Sequence, residues 1–215
     1  VPVAAWAMPA SQRAIRITDT YRAKTAQLRD RSIRVAKSRW SLLDPVDLDA
    51  SHAAWRRAMV PAVTELQRAN ARLAAAYLAG FIAVETGKRA GPKGLSASAD
   101  AVGVNQAGRP IEDSLKGSLF TVKKAISDGH PVEAALGIGV AVAQRSAGED
   151  VMFAGRDTVS AGIRDSDQIT GWRRVTGGGC GACLAAADGR VFADEDILDV
   201  HPFCQCSAEP VVRDA

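Results

Sequence analysis

The chain has 215 residues, 47% of them apolar but only 5% aromatic, which allows one large domain or two small ones with a core built mainly from Ala, Val, Leu and Ile. Such a core relies on close helix contacts that each bury little area. Net charge is a modest +3, no run of eighteen apolar residues is present to suggest a membrane span, and no basic leader precedes the apolar start, so no signal peptide is expected.

Residues 11–39 contain neither proline nor glycine. An irregular apolar stripe of Ile15, Thr18 or Tyr21, Ala26, Leu28, Ile33 and Val35 predicts one long helix, docked on something other than its own domain. Nine cations fill its remaining faces: Arg13, Arg16, Arg22, Lys24, Arg29, Arg31, Arg34, Lys37 and Arg39, against only Asp19 and Asp30. That asymmetry marks a candidate contact with nucleic acid or an acidic protein surface, the alternative being a solvated helix face.

Asp44-Pro45 breaks the pattern. Asp49 or Ser51 can cap a second helix reaching about Thr86, with a kink or break expected near Met59 because Pro61 lies inside it. Its stripe is Val63, Leu66, Leu73, Tyr77, Leu78, Phe81 and Ile82, and Gly87 is a plausible C-cap. Residues 90–109 are rich in Gly, Pro and Ser and read as a linker or arm. Three shorter helices follow. The first runs from Pro110 at its N-terminus to Gly129, with a stripe of Ile111, Leu115, Leu119, Val122 and Ile126. The second follows Pro131, and the third follows Gly148, taken as a separator. Gly137 and Gly139 within the second imply tight packing. His52 reads as a surface residue of a first helical turn, and His130 as a turn residue.

The tail differs in kind. Residues 168–176 alternate as a strand, Gly177-Gly178-Gly179 is a turn, and residues 207–212 form a final strand. Between them lie Cys180-Gly181-Ala182-Cys183 and His201-Pro202-Phe203-Cys204-Gln205-Cys206, holding all four cysteines. Zinc takes about four N or S ligands. Cys180, Cys183, His201 and Cys204 are the favoured set, with Cys206 as a substitute ligand or a buried thiol. The rival is a disulfide such as Cys183–Cys204, and free thiols are a third reading. A bridge inside Cys204-Gln205-Cys206 would be strained. A nucleophile–base reading with Cys180 or Cys204 and His201 lacks an identifiable orienting group, so no enzyme is expected. No phosphate loop, dinucleotide fingerprint or HExxH is present. Overall the sequence predicts a mainly α protein with a small α+β C-terminal module: a long-helix region over 1–89, the linker or arm over 90–109, a helical segment over 110–165, and the Cys/His-rich module over 166–215.

The order Trp172-Arg173-Arg174-Val175, glycine turn, Cys180-x2-Cys183, His201-Pro202-x-Cys204-x-Cys206, then Ala208-Glu209-Pro210-Val211, resembles the C-terminal signature of Mu F-like minor capsid or head-morphogenesis proteins, in the version of tailed actinobacteriophages. The resemblance covers about thirty-five residues. It implies a structural virion protein at the portal vertex inside the head, present in the host cytoplasm during assembly. Its partners would be the portal protein and other head proteins, with packaged DNA also in reach, and its role assembly, DNA packaging or delivery. A nucleic-acid-binding protein with a zinc-knuckle-like tail is the alternative, although the segment between the two motifs is acidic where such a ribbon is normally basic or aromatic.

Overall fold

A computed structural model describes residues 10–91, 95–177, 181–196, 198, 200–201 and 204–213. The described chain is mainly helical, with one small antiparallel sheet near its C-terminus. Helix α1 spans Gln12–Arg39, and a 3-10 turn spans Trp40–Leu42. Helices α2 (Leu48–Thr86), α3 (Ile111–Ser127) and α4 (Val132–Asp165) follow. The tail holds strand β1 (Ile169–Val175), helix α5 (Gly181–Ala186), and strands β2 (Val191–Phe192) and β3 (Ser207–Val212). No helix among the described residues is long and apolar enough to cross a membrane.

Ser11 caps α1 by accepting the Ala14 amide, which satisfies one of the unpaired N–H groups of a helix start. The buried face is Ala14, Thr18, Tyr21, Thr25, Ser32 and Ala36, spaced by threes and fours. Contrary to the expected stripe, Ile15, Ala26, Leu28, Ile33 and Val35 only flank this face and are partly buried. Through this face the helix packs within its own protein. Small residues on the seam allow close approach, and their hydroxyls find local partners, as when Ser32 donates to the Arg29 carbonyl at 2.7 Å.

Helix α2 is capped by Asp47, two residues before the nearer of the two expected caps, its carboxylate accepting the Ala50 amide at 3.2 Å. It continues through Pro61 without a break. The proline deprives the Arg57 carbonyl of its donor, a cost of about 3 kcal/mol. Trp55, Met59 and Val63 are fully buried on either side and hold the helix together. Gly148 likewise does not separate two helices: α4 runs through it. A Cβ at Gly148 would lie 3.3 Å from both Arg29 Cγ and Ile33 Cγ1, so this glycine serves close packing of α4 on α1. At Gly139 a Cβ would lie 2.3 Å from Val122 Cγ2 and 3.0 Å from Trp40 Cζ2, whereas Gly137 has nothing within 4 Å. Tight packing holds at the one and not at the other.

By contacts the chain divides into two compact units. One comprises Val1–Ala26, Ala71–Ser98 and Gly155–Ala215, the other Gln27–Asn70 and Ala99–Ala154. Helices α1, α2 and α4 each contribute one segment to each unit, so neither is contiguous in sequence. The first unit's core joins Tyr21, Tyr77, Leu78, Phe81 and Ile163 to Ile169, Trp172 and Ala208 of the sheet. Tyr21 stacks on Tyr77 with ring centroids 4.4 Å apart. In the sheet, β1 is central between β2 and β3, both antiparallel to it. Trp172 pairs with Phe192, their rings stacked at 4.3 Å, and Arg173 pairs with Glu209.

The second unit's core is Trp40, Trp55, Met59, Val63, Ile111, Leu115, Val122 and Val151 with several alanines. His52 is buried here rather than exposed as its sequence position implied, with Nε2 2.9 Å from Ser118 Oγ and its ring against Trp55. Residues 99–110 form a loop pinned to α2. Gln67 Nε2 donates to the carbonyls of Val104 (2.8 Å) and Asp150 (3.0 Å), and its Oε1 accepts the Gly103 amide at 2.8 Å. The buried amide thus uses both its protons and its oxygen.

Candidate metal centre

The last strand brings the Cys/His motif to the sheet edge. Cys183 lies on α5. The Cys204 amide donates to the His201 carbonyl at 3.0 Å, closing a turn that presents both side chains. Cys183 Sγ lies 3.1 Å from His201 Nε2 and 3.8 Å from Cys204 Sγ. The three ligand atoms all lie within 4.8 Å of one another, a grouping that could hold a metal ion. Cys183, Cys204 and Cys206 are buried together, while His201 is exposed. The cluster therefore has a closed inner side of sulfurs and a solvent-facing imidazole edge.

Geometry discriminates between the candidate chemistries. Two thiolates on a tetrahedral zinc at about 2.3 Å are separated by about 3.8 Å, which is the observed sulfur–sulfur distance. A disulfide would need about 2.05 Å. The Cys183–His201 distance is shorter than the roughly 3.6 Å edge of a zinc tetrahedron and has the length of a thiol–imidazole hydrogen bond. The donor set of two buried sulfurs and an imidazole suits zinc. Cys204 Sγ also accepts the Cys206 amide at 3.4 Å. Burial alone would push the Cys206 thiol up, but hydrogen bonding with Cys183, Cys204, Arg174 and Thr176 outweighs it and holds the group below its usual value.

Of the five ligands expected from sequence, Cys183, His201 and Cys204 converge. Cys206 adjoins the two sulfurs without joining the mutually close trio, and Cys180 lies outside the described residues. One supporting group was not legible in the motif. Arg156, on α4 and 48 residues upstream, donates to the Cys204 carbonyl and so fixes the turn. At the base of the glycine run, a Cβ on Gly177 would lie 2.6 Å from Gln205 Cβ, so glycine is needed where the chain passes the Cys-x-Cys segment.

The nine cations of α1 separate into two groups. Arg22 pairs with Asp19 and donates to the Thr176 carbonyl, Arg39 donates to the Ala58 carbonyl, and Arg29 lays its stem against Gly148. These three are partly buried and hold the fold. Arg13, Arg16, Lys24, Arg31, Arg34 and Lys37 are all exposed.

Buried groups outside the motif also titrate away from their usual values. Burial raises Asp150 to about 7, its carboxyl 2.5 Å from Ser114 Oγ. Burial lowers His52 to about 4. Burial also raises Glu209, whose carboxylate accepts the Thr18 hydroxyl at 3.0 Å. His52 and Asp150 are buried in the second unit and Glu209 on β3 in the first, and each shift is explained by packing.

No curated protein and no solved structure matches the chain. A family model described as VG15 protein matches residues 14–215, almost the whole length and both units. The chain belongs to the VG15 protein family, a family of phage proteins.

Proposed function

We propose that this chain is a minor head protein of a tailed phage, docked at the portal vertex inside the capsid, where it serves assembly and the packaging or delivery of DNA. Its partners in this reading are the portal protein and other head proteins. The Mu F-like order of the tail motif and the VG15 family match support it. The cysteine–histidine cluster then holds a structural zinc, with Cys183, His201 and Cys204 as ligands. The metal would supply cross-linking, joining α5 to the turn before β3 in a module too small to be held by its own core.

The observation that carries the structural reading is the burial of both close sulfurs. Cys183 and Cys204 are 4% and 5% exposed, and each blocks the approach to the other at 3.8 Å. A catalytic thiolate must meet its substrate, so this arrangement favours a ligand over a nucleophile. Two measurements test the proposal. Purified full-length chain is expected to carry stoichiometric zinc by mass spectrometry and, with cobalt substituted, to show tetrahedral d–d absorption. In infected cells it is expected to co-purify with heads and cross-link to the portal. A chain missing from both proheads and virions would overturn the head assignment, and a cobalt-loaded chain without thiolate charge-transfer bands would overturn the ligand set.

A further inference from the structure

Helix α1 presents six exposed cations, and none of them has an ion-pair partner among the described residues, unlike Arg22, Arg56, Arg68, Lys116, Lys123 and Lys124. Arg13, Arg16 and Lys24 fall in the first unit's stretch of the helix, and Arg31, Arg34 and Lys37 in the second's. At about 100° per residue, Arg13, Arg16 and Lys24 share one face of their stretch, and Arg31 and Arg34 share one face of theirs. The exposed acids are Asp19, already engaged by Arg22, and Asp30.

What lies between the cations decides which polyanion fits. No large apolar side chain is exposed anywhere on α1. The other exposed residues there are Gln12, Thr20, Ala23, Gln27 and Ser38, besides the two acids. A protein interface needs a desolvated aromatic or aliphatic anchor at its centre, and this surface has none. A single-strand binder needs exposed aromatic rings on which bases stack. Tyr21, the one aromatic residue of α1, is buried against Tyr77. Four of the six cations are arginines, whose planar guanidinium suits phosphate oxygens.

From these observations we infer that the exposed face of α1 binds duplex nucleic acid through its phosphates. The inference deepens the head-protein reading by naming a partner, but it rests on the helix surface alone. It is tested on the isolated full-length chain, so its failure would leave the portal assignment standing.

The experiment is a fluorescence-anisotropy titration of a labelled duplex across about 50–200 mM salt, where each phosphate contact contributes about −0.9 to the slope of log K against log salt. Six contacts give a slope near −5. The triple variant Arg13→Gln, Arg16→Gln, Lys24→Gln and the triple variant Arg31→Gln, Arg34→Gln, Lys37→Gln should each flatten that slope by about 2.7 and weaken binding about 10²–10³-fold near 0.1 M salt. A control, Arg57→Gln with Lys88→Gln and Arg89→Gln, removes equal charge from exposed positions elsewhere and should leave the slope unchanged. Circular dichroism checks helix content in each variant, and the wild-type slope alone tests the inference should a variant misfold. A wild-type slope near zero, an equal loss in the control, or tighter binding to polyglutamate than to duplex would overturn it.

Discussion

Replacing Asp150 by Asn removes a buried carboxyl that the second unit holds most favourably when neutral. The carboxyl is 4% exposed on α4 and lies 2.5 Å from Ser114 Oγ. Ser114 has a single proton and a second acceptor within reach, the Ile111 carbonyl at 2.8 Å. A protonated Asp150 resolves the conflict, because it can donate to Ser114 while Ser114 donates to Ile111. Burial raises the folded-state pKa from 3.8 to about 7. The folded chain therefore holds this proton more tightly than the unfolded chain does. The resulting stabilisation is complete below about pH 4 and is lost as pH rises towards 7. At about 1.4 kcal/mol per pH unit the loss is about 4 kcal/mol. Asn keeps the shape and an N–H donor but cannot ionise. Urea unfolding followed by circular dichroism should find Asp150→Asn within about 1 kcal/mol of wild type near pH 4 and up to about 4 kcal/mol more stable near pH 8. Other titrating groups cancel in the difference. A wild-type-to-variant gap that stays constant with pH would refute the reasoning.

Further outcomes follow from individual contacts. His52 titrates with the opposite sign: burial lowers its folded value to about 4, so its contribution is present above about 6.5 and lost as pH falls towards 4. His52→Asn should reduce the acid sensitivity of unfolding, and an unchanged acid limb would contradict this. Gly139→Ala drives a methyl into Val122 and should cost about 1–3 kcal/mol; adding Val122→Ala should recover part of it in thermal melts. Thr18→Val removes the hydroxyl that meets Glu209 and Tyr77, and depriving the buried carboxyl of that donor should cost about 1–3 kcal/mol by denaturant titration. Cys183→Ala should abolish zinc retention and make the tail susceptible to limited proteolysis, and a variant that keeps its zinc would exclude Cys183 as a ligand.

Much of the helical framework was legible because apolar periodicity is a strong signal. Most of the α2 and α3 stripes is buried, including Val63, Leu66, Tyr77, Leu78, Phe81, Ile82, Ile111, Leu115 and Val122, while Leu73, Leu119 and Ile126 are only partly so. Strand β1 was legible from alternation, and Cys183, His201 and Cys204 stood among the five residues that spacing singled out. Other features were hidden for physical reasons. The α1 seam carries Thr18, Thr25 and Ser32, whose hydroxyls find partners inside, so hydropathy selected the flanking isoleucines instead. Gly148 and Pro61 carry the local chemistry of helix ends, yet tertiary packing overrides it at both. Nothing about His52 in sequence reveals Trp40 and Trp55 closing over it. Arg156 could not be tied to Cys204 from spacing, because their link is made only when α4 meets the tail.

The bond between Thr18 and Glu209 spans 191 positions of chain. A ribosome elongating at about 5–20 residues per second delivers the second partner about 10–40 s after the first. Throughout that interval the first helix has no β3 to meet, and the sheet that completes its unit exists only as unpaired pieces. The nascent protein therefore faces a vulnerable period set by translation speed. Maturation of this unit is tied to the emergence of its final strand, and helper proteins that shield Tyr21 and Tyr77 in the meantime would govern the yield of correctly folded product.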